Sequence, residues 1–331
     1  MDWDTVPGGS GYNVNVSATA PYQVLLYYQF VPLDDPVAFA EAHHSLCARL
    51  GLRGRILVAS EGLNGTVSGP TDACQAYMAA LHADPRFSTM VFKIDPSSGH
   101  VFQKLFVRVR PEIITMEEPV DMSAVGGYIS GPDFLAALDD PETVVLDGRN
   151  QYESEVGHFR GAICPPLENF RDFKSWIREN LSEAKHRRIV TYCTGGIRCE
   201  KLTAWMLGEG FENVWQLEGG IVSYGRDPRV HGEGFEGLCF VFDERIAVPV
   251  SLAPDAITPC RSCQAMTSRY VNCLNVECNL LMPICEACAE ATEDCCCESC
   301  RRAMFRREAK AKLIKSPQTK RKPAPRSTAL G

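Results

Sequence analysis

From Val24 to Phe30 the chain has strand character, with an apolar and aromatic run over Val24–Tyr28 followed by Gln29 and Phe30. Asp35–Leu52 then takes helical spacing, with Phe39, Ala42, Leu46 and Leu50 on one face. Arg55–Ala59 returns to strand. Glu61-Gly62-Leu63-Asn64-Gly65-Thr66 predicts a tight turn into the next strand, because Asn-Gly tolerates positive φ. Thr71–Leu81 predicts a second helix, and Val91–Ile94 with Leu105–Val109 completes the set. The order β-α-β-β-α-β is a split βαβ, ferredoxin-like (acylphosphatase-like) α+β domain over residues 22–115.

A second pattern starts near Tyr128. Ser130-Gly131-Pro132-Asp133 reads as a helix start, with Ser130 or Asp133 as the cap. Val144–Asp147, Ile189–Tyr192 and Val214–Leu217 are short buried strands, and Cys199–Leu207 is helical. Strands alternating with helices imply a parallel sheet covered on both faces, an α/β domain over 125–231. A cysteine-rich module follows within 235–302. Polar residues 1–21 and the basic, Pro-containing stretch 303–331 are expected to be disordered.

The 331 residues are 45% hydrophobic, enough for more than one core. The longest apolar runs are far too short to span a bilayer, and the first twenty residues carry no basic group or apolar core of a targeting peptide. The expected compartment is therefore a reducing cytoplasm. The net charge of −7 hides an asymmetry: from Arg301 onward eleven Lys and Arg face a single acid, Glu308. Such a tail either attracts a polyanion such as RNA or is merely solvated.

Of sixteen cysteines, ten lie between Cys260 and Cys300. Cys260/Cys263, Cys285/Cys288 and Cys297/Cys300 have C-x2-C spacing, and Cys273/Cys278 is a looser pair. A thiolate at each end of so short a loop can reach one tetrahedral ion. These eight cysteines suit two closed zinc sites of four ligands each, although Cys295 or Cys296 could replace Cys297. So small a module needs metal to fold. Closed sites leave no position for substrate, so the role is structural. An iron–sulfur cluster is the alternative.

The reactive candidate is Cys193, in the loop Cys193-Thr194-Gly195-Gly196-Ile197-Arg198 between a strand and a helix. The glycines let the backbone curl so that successive N–H groups point inward as an anion nest. The helix adds its positive end, and Arg198 adds a full charge. The expected result is a depressed thiol pKa. Cys199 opens two roles: resolving an oxidised Cys193 as a disulfide, or filling space. Lys201 is a candidate for an RNA phosphate.

The spacing C-x4-R is that of rhodanese loops; protein tyrosine phosphatases have C-x5-R. Asp147-Gly148-Arg149-Asn150-Gln151-Tyr152-Glu153 resembles the rhodanese D-x-R-x-x-x-E segment, Gly157–Ile163 its G-H-x-x-G-A motif, and Leu217–Ile221 its L-x-G-G-x motif. These are expected to serve the fold, with Asp147 and Arg149 as a buried ion pair and His158 packed at a strand end. Together with Glu61–Thr66 and Leu105–Arg110, residues 22–300 resemble the tRNA uridine hydroxylase family, rhodanese-related proteins. The resemblance implies oxygen-dependent 5-hydroxylation of the wobble uridine of tRNA, with Cys193 as the essential cysteine, molecular oxygen as co-substrate and an electron source not named by the sequence. Gly148 departs from the family, which has a larger residue there. Two other functions use the same features: a sulfurtransferase carrying persulfide on Cys193, and a scaffold binding protein through the zinc module.

Overall fold

A computed structural model describes residues 20–304; the segment to residue 19 and the basic stretch from 305 lie outside the described residues. The chain divides into two compact units, Met1–Thr258 and Pro259–Gly331.

The first unit opens with Tyr22–Phe30 (β1), Pro36–Arg49 (α1), Arg53–Ala59 (β2), Gly62–Pro70 (β3), Thr71–His82 (α2), Lys93–Ser97 (β4) and Leu105–Val109 (β5). They form one sheet ordered β4-β1-β3-β2-β5. The first four strands pair antiparallel, as expected for the ferredoxin-like order; β5 adds a fifth, parallel to β2. Alternation along each strand divides the sheet into two faces. Leu25, Tyr27, Ile56, Val58, Leu63 and Val67 turn toward α1 and α2 and form the core with Cys47 and Tyr77.

Two local expectations change. The buried stripe of α1 is Ala40, His43 and Cys47; Phe39, Leu46 and Leu50 flank it and Ala42 is exposed. His43 takes the central place because its Nε2 reaches the Tyr77 hydroxyl at 2.7 Å. The turn lies at Ser60-Glu61, while Asn64-Gly65 sits inside β3, opposite Tyr28 and Tyr27. Gly65 is needed there for close approach: a Cβ would stand 2.4 Å from Tyr27 Oη. Asn64 Nδ2 donates to Ile113 O at 3.0 Å and ties down the segment that leaves the domain.

The next part contains Gly127–Ile129 (β6), Gly131–Leu138 (α3), Thr143–Asp147 (β7), Gln151–Ser154 (α4), Gly157–Phe159 (β8), Phe173–Asn180 (α5), Arg188–Tyr192 (β9), Ile197–Gly208 (α6), Asn213–Leu217 (β10) and Gly220–Arg226 (α7). Ser130 caps α3. The sheet β6-β10-β9-β7 is parallel throughout. Phe134, Phe159, Tyr192 and Tyr224 pack in one core; Phe173, Leu202 and Trp205 pack in another. Phe235–Phe240 (β11) pairs antiparallel with β8 and with Ala247–Pro249 (β12), so this stretch packs within the first unit.

In the second unit, Tyr270–Asn272 and Leu281–Pro283 pair antiparallel, followed by Glu286–Thr292 (α8) and helical residues 298–304.

Candidate active site

Strand β9 ends at Tyr192 and α6 begins at Ile197, which places Cys193 at the carboxyl end of a central parallel strand. Gly196 has φ 105°, a value L side chains rarely adopt, and its N–H donates to Cys193 Sγ at 3.1 Å. The loop carbonyls point the other way: Cys193 O accepts from Ile221 N at 3.0 Å and Thr194 O from Val222 N at 3.1 Å. The start of α7 therefore holds the loop peptides so that N–H groups turn toward sulfur. The Leu217–Ile221 motif permits this approach, since a Cβ on Gly220 would stand 2.5 Å from Cys193 O.

Burial opposes ionisation of Cys193. The Cys199 thiol hydrogen bond, the Arg198 charge and the N–H groups of Cys199 and Gly196 outweigh it and bring the thiol down to about 5. Cys199, wholly buried, is pushed well up by burial and by the neighbouring sulfur. The two shifts run in opposite directions, so Cys193 is the more acidic thiol of the pair. Thr194, Gly195 and Gly196 are buried and Ile197 is half-buried.

Arg198 does not face the sulfur as a free cation. Its guanidinium forks onto Glu153, Nη1 to Oε1 at 2.5 Å and Nη2 to Oε2 at 2.8 Å, and reaches Thr194 Oγ1 at 3.4 Å. Glu153 also accepts the Asn150 N–H at 3.1 Å. This pairing softens the field of Arg198 and fixes its position. Asp147 and Arg149 form the expected buried pair at 2.6 Å, both side chains fully covered, and Arg149 Nη2 also donates to Gly157 O. His158 lies on β8, with Nδ1 2.9 Å from Ser154 O.

The other wall of the site comes from the first sheet, which sequence patterns did not link to Cys193. Leu26 and Tyr28 of β1 lie against the loop: a Cβ on Gly195 would stand 2.9 Å from Leu26 Cδ2, and one on Gly196 2.9 Å from Tyr28 Oη. The Tyr28 hydroxyl donates to Glu200 Oε2 at 2.7 Å. Lys93 of β4 lies with its Nζ 5.5 Å from the centre of the Tyr28 ring, and its Cε near Gly219. Burial lowers Lys93 to about 8, against the attraction of the Cys193 thiolate. Glu200 is raised by burial, against its bonds to Tyr28 and Tyr128. Covered in this way, Cys193 is 1% exposed.

Lys201, a candidate phosphate contact by sequence, is committed elsewhere. Its Nζ donates to Glu61 at 2.9 Å, Glu112 at 2.5 Å and Ile114 O at 3.1 Å. With its donors taken and its side chain 3% exposed, it ties α6 to the first domain and offers nothing to RNA.

Two groups of four cysteines stand in the second unit: Cys260, Cys263, Cys285 and Cys288, and Cys273, Cys278, Cys296 and Cys300. Within each, all sulfurs lie within 4.8 Å of one another. A tetrahedral ion with sulfur bonds of about 2.3 Å needs sulfurs about 3.8 Å apart. Cys263–Cys285 and Cys278–Cys296 at 3.6 Å and Cys296–Cys300 at 3.5 Å fit that spacing. Backbone N–H groups of Cys285 and Cys296 point at Cys260 Sγ and Cys273 Sγ, each at 3.4 Å, as donors that steady metal-bound thiolates do. The ligand set therefore corrects one member: Cys296 replaces Cys297, whose exposed sulfur turns to Ser299 Oγ at 3.0 Å.

Three family models match the chain: the UPF0176 acylphosphatase like domain over residues 22–113, the Rhodanese-like domain over 130–227 and the Rhodanase C-terminal domain over 236–301. A protein of Oceanobacillus iheyensis named tRNA uridine(34) hydroxylase is 52% identical over 269 residues, 78% of this chain and 81% of its own. One of the same name from Bacillus thuringiensis is 48% identical over 275 residues, 80% and 84% of the two chains. Among solved structures, the Alr3790 protein from Anabaena sp. is 24% identical and covers 33% of this chain and 91% of its own, with a TM-score of 0.28. The chain belongs to the tRNA uridine(34) hydroxylase family.

Proposed function

We propose, from that membership, that this protein hydroxylates C5 of uridine 34 in tRNA, with Cys193 as its nucleophile. The observation that carries the residue assignment is the setting of Cys193 Sγ, which accepts the Gly196 N–H at 3.1 Å beneath a wall of residues from another domain, a setting that lowers the thiol pKa. Uracil C5 is a poor nucleophile until a group adds at C6. Thiolate addition at C6 forms the S–C6 bond, breaks the C5=C6 π bond and sends its electron pair through C5 toward O4. Lys93, a cation on the opposite wall, supplies the charge that meets O4 as it becomes anionic. C5 then carries the electron density that forms a bond to molecular oxygen; after reduction leaves a hydroxyl there, loss of the C5 proton re-forms the C5=C6 double bond, breaks the S–C6 bond and frees the Cys193 thiolate. The overall change, uridine and oxygen to hydroxyuridine and water, takes up two electrons and two protons, so an external reductant completes the cycle.

Because the sulfur is almost covered, the base reaches it only when the Tyr28 and Lys93 side chains yield. A persulfide carrier would use the same loop but would have to pass its sulfur through that cover. The two four-cysteine groups are assigned to structural zinc, which cross-links the second unit and takes no part in the reaction. A tRNA substrate places this work in the cytoplasm, where thiolates stay reduced; among the described residues no helix is long and apolar enough to cross a membrane.

The test is Cys193→Ser. Nucleoside mass spectrometry should find no 5-hydroxyuridine made by the variant, while its affinity for tRNA is retained. Normal turnover by that variant would overturn the assignment.

A further inference from the structure

The face of the first sheet opposite its helices is used in two ways. At the β4–β1 end it carries Leu26, Tyr28 and Lys93 onto the Cys193 loop. At the β2–β5 end it is open. Register fixes what stands there: Tyr28 is opposite Asn64, Asn64 opposite Leu57, and Leu57 opposite Arg108. In the adjacent row, Leu26 leads through Thr66 and Arg55 to Phe106. Strands lie about 4.8 Å apart, so Arg108 is about 14 Å from Tyr28 on the same face of the sheet; Asn64 between them holds Ile113 O, which leaves the Leu26–Thr66–Arg55–Phe106 row as the path along that face.

The open end is basic and aromatic. Arg55, Phe106, Arg108 and Arg110 line a depression of about 240 Å³. The Arg108 guanidinium lies 4.8 Å from the centre of the Phe106 ring, and Phe106 is 38% exposed. Elsewhere in this unit arginines such as Arg149, Arg178, Arg198, Arg226 and Arg245 meet carboxylates. Among the described residues none stands within ion-pair distance of Arg55, Arg108 or Arg110. Unneutralised cations around a flat ring, in a chain of net charge −7, match single-stranded RNA, whose phosphates need cations and whose bases stack on aromatic faces.

We propose that this open half-face cradles the anticodon-loop nucleotides adjoining the target base, with Arg55 and Arg108 on phosphates and Phe106 as the stacking platform. The proposal rests on the tRNA hydroxylase reading and adds where the loop lies: the strand runs along the sheet from Phe106 toward Tyr28, and the target base drops into the cradle at the far end. A phosphate contact registers in salt dependence, and a stacked base registers at every salt concentration.

The experiment uses the full chain and an anticodon stem-loop RNA with uridine at the wobble position, titrated over a range of salt. Arg55→Gln with Arg108→Gln should weaken binding and reduce the slope of log K against log salt by about 1.4, at roughly 0.7 per single-strand contact. Arg55→Lys with Arg108→Lys should restore the slope. Phe106→Ala should weaken binding about tenfold with the slope unchanged. All these positions are on the surface, so melting temperatures should match the wild type. Wild-type hydroxylation with all variants equal to it in slope, affinity and KM would overturn this placement alone. No hydroxylation of the same RNA by the wild type would overturn the parent reading.

Discussion

Cys193 combines two properties that oppose each other, a charge and near-complete burial. Its ionisation depends on one thiol, one paired arginine and two N–H groups, each placed by backbone. Replacing an ordinary thiol near 9 by one near 5 should be visible as thiolate absorbance in the ultraviolet. The difference between wild type and Cys193→Ser should titrate near pH 5; a transition near 9 would contradict the site described here. Lys93 sets the other limit. Its lowered pKa of about 8 means that the cation is present below that pH and lost above it. Turnover should therefore rise as the thiolate forms above about 5 and fall as Lys93 loses its proton above about 8. Lys93→Met should lower kcat about a hundredfold, with tRNA affinity kept and the alkaline limb removed. Cys193 was legible in the sequence because its chemistry lies within seven consecutive residues, Cys193 to Cys199. Lys93 was not, because nothing near it in the chain says that β4 begins beside that loop.

At the scale of elements, β1 carries in its sequence the mark of burial on both faces. Val24 to Tyr28 is apolar without alternation, the pattern of a strand covered on both faces. Leu25 and Tyr27 meet the helices, and Leu26 and Tyr28 meet the rhodanese loop. The α1 stripe was misplaced because apolar periodicity passes over His43, which is buried through its bond to Tyr77. In the cysteine module, the C-x2-C rule favoured Cys297, but the position of the sulfur relative to Cys278 and Cys300 selects Cys296. Three adjacent cysteines cannot be ranked by spacing alone. Metal analysis should find two ions per wild-type chain and in Cys297→Ser, and one in Cys296→Ser. Retention of two ions by Cys296→Ser and loss of one by Cys297→Ser would reverse the assignment.

At the scale of the first compact unit, the domain order was readable, but not the way the two domains grip each other. The grip is ionic: Lys201 with Glu61 and Glu112, and Asp95 with Arg226 and Arg245. Burial works against the Glu112 carboxylate, and the Lys201 bond with the Met116 and Glu117 N–H groups still holds it below its usual range. A carboxyl lowered by folding stabilises above its unfolded pKa, and that support fades as pH falls through the folded value. Lys201→Met leaves two carboxylates facing each other. It should cost about 2 kcal/mol, the low end for a truncated pair because both acids keep some water. Calorimetry should show a lower melting temperature at pH 7, with the gap from wild type narrowing in acid. An unchanged melting temperature would mean that the grip lies elsewhere.

The screen over the sulfur is encoded a hundred residues and more before the sulfur itself, on strands of a different sheet. A fragment holding only the later domain would present an uncovered Cys193 sulfur, open to water and to irreversible over-oxidation. Tethering guard to weapon in one polypeptide ensures that every copy of the reactive group is made already chaperoned.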